Sequence, residues 1–355
     1  MIVASRYRLL ATGCASLAVC GEGGNGAVMR NWLQGWVLAV LLGGWVCGEA
    51  AEGEKAKSGG LKLAGLRNPV MATEDNLRDP SVLKVKDGYL VFYSRFSTGS
   101  WGAKQNWAVA TVFTRDFARF DDDHDLTPKG FASPGETVLW HGRYVLPYHS
   151  YPVAPARLCF SESTDAKTWS APKYFLDEAR DLRWNRLKRL IDPAFVVDGE
   201  VLHCFFVGSA MHHDAAGKTV RANLMGHAIT RDPRLEQWEI LTVDEPMIGV
   251  SERAPDGVEN LTVAKTGEVW RMIYSEGLAA QHLAMATSKD LRSWTMEGSI
   301  EIGKQKWLAR KYGASFVWRE ESEWVMILMG EDEGGRTTFG LLTSSDGREW
   351  KLLPE

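Results

Sequence analysis

Five copies of one short pattern run through this chain: Ser or Thr, any residue, Asp, then an aromatic a few positions on. They read "TRDFARF" from 114, "STDAKTW" from 163, "TRDPRLEQW" from 230, "SKDLRSW" from 288 and "SSDGREW" from 344. Their aspartates, Asp116, Asp165, Asp232, Asp290 and Asp346, recur after 49, 67, 58 and 56 residues. A single copy would mean little. Five in series at similar spacing mark an internal repeat, and a repeat of this length dictates the architecture of the whole chain.

A second motif keeps phase with the first. It is an apolar strand, a tight turn and another apolar strand: "VLKVKDGYLVFYS", "VLWHGRYVLPY", "AFVVDGEVLHCFF" and "LTVAKTGEVWRMIY", with turn glycines Gly88, Gly142, Gly199 and Gly267. A fifth copy, "SFVWREESEWVMILM", has no glycine in its turn. From each glycine to the next repeated aspartate there are 28, 23, 33 and 23 residues, room for about two further strands. No stretch after residue 60 shows sustained helical periodicity. Units of roughly fifty residues with four strands are propeller blades. The expectation is an all-β chain forming a five-bladed β-propeller over residues 66–355. A β-sandwich would have to repeat both motifs in phase by accident.

The N-terminus reads as an address. Met29 and Arg30 precede "NWLQGWVLAVLLGGWVCGEAA", a basic start, an apolar run and small residues, as in a secretory signal. Residues 1–51 are taken as this leader, with Met29 as an alternative start, and the polar residues 52–65 as a linker. Cys47 leaves a lipid anchor as an alternative, although Trp45 and Val46 are bulky for such a cleavage site; the apolar run is short for an uncleaved anchor. A secreted or periplasmic monomer with no membrane span in its mature form follows. Three of the five cysteines, Cys14, Cys20 and Cys47, fall in the leader. Cys159 and Cys204 sit in strand-like runs, either as one disulfide or as two buried thiols. The net charge of -4 carries no electrostatic footprint for nucleic acid. Fifteen tryptophans are many for 355 residues. They divide between core packing and aromatic platforms for sugar rings.

The first strand of a propeller blade lines the central channel, and its start lies at one mouth. Asp79 stands nine residues before Gly88, Asp192 seven before Gly199 and Glu259 eight before Gly267. Three acids at nearly one phase in units one, three and four should meet at the axis. Glu136, six before Gly142, is close in phase but less well placed. The prolines after Asp79 and Asp192 should hold each acid extended at the strand entrance. Asp232 also precedes a proline, but it belongs to the outer turn motif and reads as structural. Carboxylates gathered over a channel cannot all ionise at low cost, so at least one pKa should rise. One protonated acid beside one ionised carboxylate is what glycoside hydrolysis requires.

With "RDPSV" in unit one, "IDPAF" in unit three, "VEN" in unit four and the repeated D-x-x-x-W turns, the chain after the linker resembles glycoside hydrolase family 43. These are five-bladed propeller enzymes acting mainly on arabinose- and xylose-containing glycans. The resemblance implies that Asp79 is the general base activating water, Asp192 the aspartate that raises and orients the acid, and Glu259 the general acid. It implies inversion, with base and acid carboxyls about 6.5–9.5 Å apart. The pattern departs at Asn260, where a small residue and then proline usually follow the acid, and at "SPGETV" in unit two. It departs again at "RKYGASF" from 310, which lacks the family's histidine, so no metal and no cofactor are assigned. A related propeller group uses a histidine acid, for which His282 or His149 could serve.

Arg95, Trp101 and Trp107, in the Gly- and Ser-rich segment after the first hairpin, are candidates to line a sugar pocket. His149 and Glu276 end second strands, expected to run away from the acids' mouth unless a loop curls over it. His212 and His213 lie in a polar loop and read as solvated. Arg78, Arg183, Arg186 and Arg189 would suit a phosphate pocket, which keeps a glycoside phosphorylase as an alternative. A retaining fructosidase-type propeller is disfavoured, because neither Asn-Asp-Pro-Asn nor Glu-Cys occurs. A non-catalytic sugar-binding propeller is the alternative outside enzymology.

Overall fold

The computed structural model describes residues 61–97, 106–321 and 323–355. The predicted leader with its cysteines, most of the linker, and Trp101 lie outside the described residues. Among the described residues, apart from two short 3-10 turns, Asp177–Asp181 and Lys306–Leu308, every regular element is a β-strand. No helix among the described residues is long and apolar enough to cross a membrane.

The strands form five antiparallel sheets in chain order. Blade one holds β1 (Asn76–Val85), β2 (Gly88–Phe96), β3 (Ala108–Thr114) and β4 (Phe120–Asp125). Blade two has its innermost strand in two pieces, β5 (Phe131–Ala132) and β6 (Val138–Trp140), both paired with β7 (Arg143–Ser150), then β8 (Leu158–Ser163) and β9 (Lys173–Tyr174). Blade three holds β10 (Ile191–Asp198), β11 (Val201–His213), β12 (Thr219–Thr230) and β13 (Glu239–Ile240). Blade four holds β14 (Val258–Thr266), β15 (Val269–Glu276), β16 (His282–Ser288) and β17 (Thr295–Ser299). Blade five holds β18 (Lys311–Arg319), β19 (Trp324–Glu331), β20 (Thr337–Ser344) and β21 (Lys351–Leu352). The fold is a five-bladed β-propeller, as the repeats predict.

The recurring aspartate is a turn device. Asp165 Oδ1 accepts the backbone N–H groups of Lys167 and Thr168 at 2.8 Å each, and Asp290 Oδ1 accepts those of Arg292 at 2.9 Å and Ser293 at 2.8 Å. These bonds hold both carboxyls down at about 2. The aromatic closing each turn then packs inward: Phe120, Trp169, Trp238, Trp294 and Trp350 each join a different apolar cluster. Those clusters fill the five seams between neighbouring blades, so each unit buries its faces only against the next. No described tryptophan is exposed, so packing within and between the blades accounts for most of them. Cys159 and Cys204 are buried free thiols.

The wheel is closed by chain preceding the first repeat. Met71 and Phe339 on β20 exchange backbone bonds of 3.2 and 2.9 Å, and Asn68 bonds both faces of the Leu341 backbone, at 3.0 and 2.7 Å. Leu61, Leu63 and Leu66 pack against the same seam.

One seam contains a stacked histidine pair. His203 and His227 are 4% and 1% exposed, their rings joined by an Nδ1···Nε2 bond of 2.9 Å beside Phe205. Burial pulls their pKa values down to about 4 and about 3. Unfolding frees rings that protonate near 6.5, so the unfolded chain binds more protons below that pH. Stability present above pH 6.5 is therefore lost as pH falls toward 4. Thermal unfolding should show the native protein losing on the order of 5 °C between those values. A His203→Gln/His227→Gln variant should lose that pH slope; an unchanged slope would place the acid sensitivity elsewhere.

Candidate active site

Each innermost strand breaks at the same height. Ladder registers slip between Arg78 and Ser81, Ile191 and Ala194, Glu259 and Leu261, and Gly313 and Phe316, while blade two interrupts its strand between Ala132 and Val138. At every break one residue takes a left-handed backbone: Asp79 (φ 53°), Ser133 (52°), Asp192 (48°), Asn260 (43°) and Ala314 (49°). This corrects the expectation that proline holds the acids extended. Asp and Asn tolerate this conformation, and a bulge re-aims its side chain. The ring also corrects the phasing. Glu259 is not the counterpart of Asp79 and Asp192; Asn260 is, with Glu259 one residue earlier, level with Arg78 and Ile191. In blade two the counterpart is Ser133, not Glu136.

The acids nevertheless meet. Asp79, Asp192 and Glu259 line one cavity of about 230 Å³ with Arg78, Ser133, His149, Arg189, Arg221, Asn260 and Lys311. Asp79 Oδ2 accepts the Ser94 and Ser133 hydroxyls at 2.7 and 3.0 Å, and its Oδ1 accepts Asn260 Nδ2 at 3.1 Å. Glu259 accepts Asn223 Nδ2 on Oε2 at 3.0 Å and Gln281 Nε2 on Oε1 at 2.9 Å. The Arg78 guanidinium lies 4.0 Å from Asp79 Oδ1 and 3.7 Å from Glu259 Oε1, a single cation between the two. Burial, then the charges of Glu259 and Asp79, push the Asp192 carboxyl well above the usual range. The expected rise therefore falls on Asp192.

Second strands return to the acids' mouth rather than leaving it, because antiparallel pairing sets Arg78 against Ser94, Ala132 against His149 and Glu259 against Ser275. These partners stitch each blade to the next. Ser94 Oγ accepts the Ser133 N–H at 2.7 Å, His149 Nδ1 accepts the Asp192 N–H at 3.2 Å, and Ser275 Oγ accepts the Ala314 N–H at 2.9 Å. His149 thus takes the place that serine holds in blades one and four. Burial and the Arg189 charge keep its ring neutral, so its approach of 3.7 Å to Asp192 is no ion pair, and the proton sits on Nε2.

Other predicted positions separate. Trp107 lines the cavity, stacked on Phe96 at 3.9 Å. Arg95 does not; it is bound to Asp123 and Asp125 on the outer strand of blade one. Glu276 is buried away from the cavity, within 3.0 Å of Arg253 and 3.3 Å of His282, which removes His282 from the cavity as well. Glu136 lines the channel below, where burial raises it to about 8. Ser133 was legible: Ser133-Pro134 lies nine residues before Gly142, as Asp79-Pro80 lies nine before Gly88. Asn223, Gln281 and Arg221 come from second and third strands or the segments joining them, where no repeat marks them.

No family model matches the sequence, and no curated protein matches it either. Solved structures do. A structure described as a glycoside hydrolase superposes with TM-score 0.63 at 14% identity, covering 80% of this chain and 90% of its own. A thermostable family-43 glycoside hydrolase gives 0.59 at 14% identity, covering 81% and 95%. The catalytic domain of a GH62 alpha-L-arabinofuranosidase from Coprinopsis cinerea gives 0.56 at 14%, covering 76% and 90%. The chain has the five-bladed propeller fold seen in these glycoside hydrolases.

Proposed function

We propose that the protein is an inverting glycoside hydrolase, with Asp79 as general base, Glu259 as general acid and Asp192 raising the proton affinity of the site. The observation that carries this reading is the convergence of Asp79, Asp192 and Glu259 on one cavity at the propeller axis. Asp79 accepts three hydrogen bonds, which fix its carboxylate and leave a lone pair of Oδ1 for a water proton. Glu259 is oriented by two amide donors and open to the cavity. Burial, then the charges of Glu259 and Asp79, raise the Asp192 carboxyl, so a proton is held beside the other two acids at neutral pH. Protonating the leaving oxygen while the opposite carboxylate deprotonates water gives single displacement with inversion. Arabinose- and xylose-bearing glycans are the proposed substrates, met outside the cytoplasm by a monomer.

The test is product analysis on arabinan, xylan, galactan and aryl glycosides, reading reducing ends and, by proton NMR at early times, the anomer first released. Inverted product is expected. Retained product would remove Asp79 from the role of water-activating base. Cleavage only with added phosphate would favour the phosphorylase, and binding without cleavage a sugar-binding propeller.

A further inference from the structure

The cavity holds more cation than its acids use. Of its four basic side chains, Arg78 lies between Asp79 and Glu259, and Lys311 pairs with Glu331 at 3.2 Å. Arg189 and Arg221 remain, and neither makes an ion pair among the described residues. Arg189 gives Nη1 to the neutral Asn223 Oδ1 at 3.3 Å. Arg221 is exposed and stands on the hairpin of β11 and β12, which continues beyond Val207, the partner of Ile191 at the mouth, with Arg221 opposite Met211. Arg221 and Asn223 are two residues apart on β12 and so share a face. That face carries Asn223 onto both Arg189 and Glu259. Burial, then the neighbouring Arg221 charge, lower the Arg189 pKa, and Asp192 and Glu259 only partly offset them, so the two guanidiniums lie near each other where an anion between them would be favoured. The raised Asp192 supplies less counter-charge than its position suggests.

We infer that Arg189 and Arg221 form a seat for an anionic substituent of the sugar, so that the substrate is an acidic glycan bearing a carboxylate or a sulfate ester. Planar guanidiniums bind such oxyanions through paired N–H donors, and a partly enclosed site strengthens those bonds. The inference rests on reading this cavity as the glycan site, and it adds the charge of the sugar to that reading.

Calorimetric titration of the full chain carrying Glu259→Gln tests it. The probes are glucuronic acid against glucose, galacturonic acid against galactose, and glucose 6-sulfate against glucose, with inorganic phosphate as a separate arm. The charged member of at least one pair should bind about tenfold tighter, and added salt should weaken it. The uronate and sulfate arms identify which anion is preferred. Arg221→Gln, an exposed change that leaves the fold intact, should abolish the preference, and Arg189→Lys should reduce it. Equal affinity within every pair, a preference that survives Arg221→Gln, or binding of phosphate alone would each overturn the inference. Hydrolysis of neutral glycans without any charge preference would overturn it while leaving the hydrolase standing. A charge preference in a protein that cleaves nothing would do the reverse.

Discussion

Asp79→Asn and Glu259→Gln should each lower glycoside hydrolysis by about 10²- to 10⁴-fold, the usual contribution of a positioned acid or base. Both should do so with little change in melting temperature, because two neighbouring amides can turn over. Asn260 Oδ1 and Gln281 Oε1 are buried without partners. Flipping Asn260 offers its oxygen to a new amide at position 79, and flipping Gln281 does the same at position 259. Asn223 cannot flip, since its Oδ1 already accepts Arg189 and Ser209. The two variants should also differ in a way that assigns their roles. A leaving group that departs without protonation no longer needs an acid. Glu259→Gln should therefore keep much of its activity on dinitrophenyl glycosides while losing it on alkyl glycosides. Asp79→Asn should lose activity on both. Equal losses on both substrates for Glu259→Gln would remove it from the acid role.

The repeats made the blades legible because a blade is a local object: its hairpin turn, its capped Asp turn and its closing aromatic all lie within about fifty residues. The acids were legible as residues but not in their geometry. The acids themselves lie at different counts from their turn glycines, nine residues for Asp79 and seven for Asp192, so counting alone also admits Glu259 at eight and Glu136 at six. The bulges fix the level: Asn260, seven before Gly267, matches Asp192, and Ser133, nine before Gly142, matches Asp79. The direction of the second strands was a different failure. Antiparallel pairing brings each second strand back to the mouth, which is how Ser94, His149 and Ser275 reach the next blade. Arg95 shows the limit of reading loops by composition: its neighbours Asp123 and Asp125 lie across two strands, and only the ladder from β2 to β3 to β4 brings them together. Ring closure through Asn68 and Met71 spans nearly the whole propeller, and no local pattern announces it.

Gly135→Ala should be among the most damaging single changes outside the cavity, although position 135 carries no chemistry. Three blades meet on this residue. Its N–H binds Pro147 O at 2.8 Å within blade two, its carbonyl accepts Ser81 Oγ of blade one at 2.7 Å, and a β-carbon there would lie 1.8 Å from Pro193 O of blade three. That last contact is with backbone, which cannot rotate away as a side chain end would. Overpacking of this kind costs about 1–3 kcal/mol and here belongs at the upper end. Gly217→Ala is the control. Its φ of +75° strains any other residue, but a β-carbon there meets nothing within 4 Å, so the cost stays near 1 kcal/mol. Thermal melts should separate the two. Activity should separate them further, because Pro193 directly follows Asp192, and pushing its carbonyl outward moves the carboxyl that holds the proton affinity of the site. Gly217→Ala should leave turnover unchanged. A Gly135→Ala protein that melts and turns over like the native one would mean that the hub yields, and that rigid blade contacts are not what brings the three acids together.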